Sequence, residues 1–85
     1  MITAKEATAA ALNYFTDVVN APVDNLALEE IEADESGQTW LVTLGFSYHV
    51  NNPFITGAEA SRHYKLLTVD GTTSAIKSMK IRKIG

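Results

Sequence analysis

"TWLVTLGFSYHV", residues 39–50, decides the fold. Trp40, Val42, Leu44, Phe46, Tyr48 and Val50 share one parity, while Leu41, Thr43, Gly45, Ser47 and His49 take the other. Period two sustained over that length is a strand with one strongly apolar face, and such a face must be covered. The chain's start supplies the cover. Thr3 and Glu6 form a capping box, so a helix is expected from about Ala4. Ala7, Ala10, Ala11, Tyr14, Phe15, Val18 and Val19 then recur at steps of three and four, up to the stop at "NAP", residues 20–22.

Between helix and central strand the period changes to two, with a fault in it. Leu26 and Leu28 share one parity and Ile31 and Ala33 the other, so a bulge or bend near Glu29 and Glu30 is required to keep all four on the buried side. "ESGQ" (35–38) is a turn. On the other side, "NNPFITG" (51–57) breaks the chain with Asn, Pro and Gly, and "EASRHYKLLTV" (59–69) reads as a third strand. "DGTT" (70–73) is a hairpin signal leading into "SAIKSMKIRKI" (74–84), a fourth strand. The expected fold is α+β: a single domain over residues 1–85, with one N-terminal helix packed on a four-stranded antiparallel meander in the order α-β-β-β-β.

Composition agrees with a folded domain. Of 85 residues, 46% are hydrophobic and 20% are charged. Those proportions lie well away from the profile of disordered chains. A single core is all that this length supports. With no cysteine, stability rests on packing and thiolate chemistry is excluded, which suits a reducing compartment. The N-terminus has no basic n-region and no long apolar run, so neither a signal peptide nor a membrane span is indicated and a cytoplasmic location is expected.

"LALEEIEADESGQTWLVTLGF" (26–46) followed by "HYKLLTVDGTTSAIKSMKIRK" (63–83) resembles the PepSY-like family, small α+β domains similar in architecture to cystatins. Shared are an acidic first strand, a Gly turn into a Trp-bearing strand, and a Tyr-Lys strand that passes through an Asp-Gly turn into the last. The resemblance implies a non-enzymatic inhibitory or interaction module and supplies no catalytic residue.

Residues that carry chemistry are few. His49 and His63 are the only imidazoles, and with Glu59 nearby in sequence they could bind a metal, although their spacing matches no established ligand motif. Ser61, His63 and Asp70 offer the residue types of a triad without a nucleophile elbow. The aromatic residues Trp40, Phe46 and Tyr48 fall on the face the helix must cover, and an acidic chain opposes phosphate-backbone binding, so no nucleic-acid partner is expected. No cofactor is expected either.

Charge, by contrast, is sorted. The net charge is −3, yet Lys77, Lys80, Arg82 and Lys83, four of seven basic residues, fall in the last nine positions. Acids gather instead around the first strand at Asp24, Glu29, Glu30, Glu32, Asp34 and Glu35. In a meander these are opposite edges. The sequence therefore points to a non-catalytic protein-binding module, an inhibitor, immunity-type factor or adaptor, whose partner is another protein or a second copy. Its expected contacts are the basic last strand and the apolar loop residues Phe54 and Ile55. A metal-binding protein or enzyme subunit using His49, His63 and Glu59 is the alternative reading.

Overall fold

Thr3 starts the first element as its spacing to Glu6 predicts. Its hydroxyl accepts from the Glu6 N–H at 3.1 Å, and the Glu6 carboxylate accepts from the Thr3 N–H at 3.0 Å. Helix α1 (Ala4–Val18) follows. In this computed structural model, which describes residues 1–48 and 62–83, the helix is succeeded by β1 (Val23–Ala33), β2 (Thr39–Tyr48), β3 (His63–Asp70) and β4 (Ile76–Ile81). The sheet order is β1-β2-β3-β4 with every neighbour antiparallel. The α-β-β-β-β meander is as the sequence predicts.

The parity fault in β1 is resolved where it arises. Leu28 pairs with Leu44 and Glu30 with Thr43, which leaves Glu29 as the extra residue of a bulge. A second register shift lies between Asp24 and Ala27, at Asn25, whose φ of 56° is left-handed. That shift has no parity signal. The β1–β2 turn closes on the Asp34 carboxylate, which accepts from the Ser36 hydroxyl at 2.6 Å and the Gly37 N–H at 3.1 Å, with Gly37 at φ 72°. After β3 the Asp70 carboxylate accepts from the Thr72 and Thr73 N–H groups at 2.8 and 3.0 Å. The Asp-Gly signal therefore marks a loop built on Asp70, whose own N–H donates to the Ala75 carbonyl, rather than a two-residue turn.

Ala7, Ala11 and Phe15 lie one above another on the helix and are completely or almost completely buried against Val42, Leu44 and Phe46 of β2 and Leu67 and Val69 of β3. The two alanines let the helix axis approach the sheet; Phe15 meets Phe46 at 4.9 Å between ring centroids. At the other end the Trp40 indole donates to the Ile2 carbonyl, and the Ile2 N–H donates to the Gly71 carbonyl. The helix thus runs along β2 from its Trp40 end to its Phe46 end. Helix α1 has 15 residues and β2 has 10. At the usual rise per residue of each, the helix covers about 22 Å and the strand about 33 Å. The strand outruns its cover, and this explains a departure from expectation: Tyr48, placed in the core by parity, is 44% exposed.

Candidate functional site

Among the described residues, side chains close the face of the sheet opposite the helix. Thr39, Thr43 and Ser47 of β2 point there and are 5%, 0% and 6% exposed. Arg62, just before β3, crosses β2 at Gly45 and donates to the Glu29 carboxylate at 2.6 Å and the Asn25 carbonyl at 3.0 Å. Arg82, just after β4, donates to the Glu30 carboxylate at 3.0 Å and to the Thr43 hydroxyl. Lys77 reaches the Thr39 hydroxyl at 3.4 Å. Gly45 makes the first crossing possible. A Cβ there would lie 2.6 Å from Arg62 Nη2 and 2.7 Å from Glu29 Cγ.

These crossings divide the basic residues of the C-terminal region. Arg82 is turned inward to Glu30 and Thr43, and Lys77 is held toward Thr39. Lys80 and Lys83 are exposed and make no hydrogen bond or ion pair among the described residues. Between them Ile81 is 76% exposed. Among the described strands, β4 is an edge of the sheet. Because the Arg82 N–H donates to the Tyr64 carbonyl, strand alternation turns the N–H and C=O of Ile81 and Met79 outward, away from β3. Phe54 and Ile55, the other expected contact residues, lie outside the described residues.

A cavity of about 460 Å³ opens at the end of the sheet that the helix does not reach. Phe46, Tyr48, His63 and Tyr64 are its aromatic lining: Phe46 and Tyr48 meet edge to face at 5.4 Å, and the His63 ring lies 5.0 Å from Tyr48 and 5.8 Å from Phe46. Arg62, Lys65, Arg82 and Lys83 supply its charge, and no carboxylate lines it among the described residues. Sequence reasoning misses this cavity. Its one available signal is that β2 is longer than the helix that covers it.

Of the other constellations, the described residues test only the pairing of His63 with Asp70, and these two do not meet. His63 and Asp70 are the first and last residues of β3. In an extended strand that separation is roughly 23 Å. His49, Glu59 and Ser61 lie outside the described residues, and among the described residues no three His, Asp or Glu side chains are grouped to hold a metal. No helix there is long and apolar enough to cross a membrane. Comparison with protein-family models, with curated proteins and with solved structures returns no match.

Proposed function

We propose that the chain is a small non-catalytic protein-binding module that docks an acidic, extended segment of a partner along the outer edge of β4. The supporting observation is the edge itself: outward backbone groups at Met79 and Ile81, an Ile81 side chain 76% exposed, and Lys80 and Lys83 on either side with no partner among the described residues. Strand addition takes its affinity from main-chain hydrogen bonds and its selectivity from flanking side chains. Here the apolar Ile81 and two ammonium groups select an apolar residue bracketed by carboxylates. The PepSY-like resemblance implies the same class of role, and the absence of cysteine suits work in the cytoplasm.

The test uses Lys80→Glu with Lys83→Glu, which leaves Arg82 in its structural position, and separately Ile81→Pro against Ile81→Ala. Capture of a partner from source-cell lysate is expected to fail for the double reversal and to weaken at high salt. Ile81→Pro, which removes an outward N–H without breaking the β3 ladder, is expected to reduce capture well beyond Ile81→Ala. A partner retained by both the reversal and the proline variant removes β4 from the contact surface.

A further inference from the structure

We infer that the cavity beyond the helix end is a binding site for a small organic anion carrying a planar ring, such as an aryl phosphate or aryl carboxylate. The inference goes beyond the β4 edge reading and does not rest on it, since Lys83 is the one charged group the two have in common. Its first support is charge. In a chain of net charge −3, this cavity is lined by basic groups and by no acid among the described residues. Arg62 and Arg82 are already matched by Glu29 and Glu30, so they close the wall without contributing free charge. Lys65 and Lys83 have no carboxylate partner among the described residues. A concave site with unmatched ammonium groups concentrates anions relative to a flat surface.

The second support is the ring cluster. Phe46 is completely buried and forms a floor, whereas Tyr48 and His63 are exposed against it. Exposed ring surface beside a cavity offers edge-to-face and stacked contacts to a planar ligand. The volume, about 460 Å³, is within the range of small-molecule sites. Neither half suffices alone. Inorganic phosphate would gain only the lysines, and a neutral ring only the aromatic wall.

Titrations of the full chain followed by amide NMR, with phenyl phosphate, inorganic phosphate and benzyl alcohol as the three probes, test the site. Phenyl phosphate is expected to give saturable shifts at His63, Tyr64, Lys65 and Lys83, with the other two probes at least tenfold weaker. Lys65→Ala with Lys83→Ala should weaken phenyl phosphate roughly tenfold or more at unchanged thermal stability. Lys5→Ala with Lys77→Ala removes the same charge elsewhere and should leave binding as it was. The inference is overturned by absence of saturation at millimolar probe, by equal binding of inorganic phosphate, or by equal weakening in the two double variants. If the lysine variant unfolds, Tyr48→Ala replaces it, and unchanged affinity there overturns the inference as well.

Discussion

Gly45 shows how one missing side chain organises a face. It sits in the central strand, where glycine weakens a sheet, and it contributes nothing to the core. What it provides is room for Arg62 to cross β2 and reach Glu29, a pair whose side chains stay 31% and 34% exposed. An exposed pair of this kind contributes about 0–1 kcal/mol, so the position is defined more by shape than by the ion pair itself. Gly45→Ala is expected to cost up to about 1 kcal/mol, because the new methyl pushes aside the flexible ends of Arg62 and Glu29. In a Glu29→Ala, Arg62→Ala background the same substitution should cost little, since its obstacles are gone. Urea unfolding of the four proteins measures this coupling. Equal cost in both backgrounds would place the strain in the strand backbone instead.

At the scale of elements, three carboxylates hold the ends of the helix and strands. Asp70 is held below the usual carboxylate range by the Thr73 N–H and then the Thr72 N–H, Asp34 by the Ser36 hydroxyl, and Glu6 by the Thr3 N–H. All three shifts are downward, so folding is favoured by their ionised forms. That contribution is present above the unfolded carboxylate range and is lost as pH falls through the lower folded values. Stability should therefore change little between about pH 7 and 5 and decline below about pH 4. Asp70→Asn keeps the side-chain acceptor but cannot titrate, so its acid decline should be shallower than that of the wild type. Denaturation midpoints across the pH series decide the matter, and identical acid limbs would remove Asp70 from the account.

The same elements show what is legible in the sequence. The capping box, the period-two run of β2 and the parity fault at Glu29 are local signals, and each produces the element or bulge it specifies. Arg62 to Glu29 and Arg82 to Glu30 span 33 and 52 residues, and no short-range pattern announces such pairs. Sequence proximity accordingly groups Arg82 with Lys80 and Lys83 as a contact residue and does not reveal that its guanidinium is engaged by Glu30 and Thr43. Parity misplaces Tyr48 for a related reason. It fixes which face a side chain takes, whereas coverage depends on where the helix ends above it.

For the whole molecule, opposite charge on the two outer strands raises the possibility of pairing between copies. A β1-to-β4 contact would be heterologous, generating open chains of molecules rather than a closed dimer. Charge favours it superficially, since β1 carries Asp24, Glu29, Glu30 and Glu32. Geometry opposes it. Glu29 and Glu30 are turned across the sheet onto Arg62 and Arg82, and two register shifts interrupt β1 where an added strand would need a regular edge. The acidic edge is thus blunted, whereas Met79 and Ile81 turn their backbone groups outward from the basic one. Sedimentation is expected to give a monomer of 9.2 kDa, independent of salt. That result should hold at all concentrations up to about 100 μM, since a blunted edge offers too little area for a stable interface. A series of larger species that grows with concentration and dissolves in salt would instead make the acidic edge of a second copy the occupant of β4. Lys80→Glu with Lys83→Glu would then abolish the series, and the search for an outside partner along that edge would end.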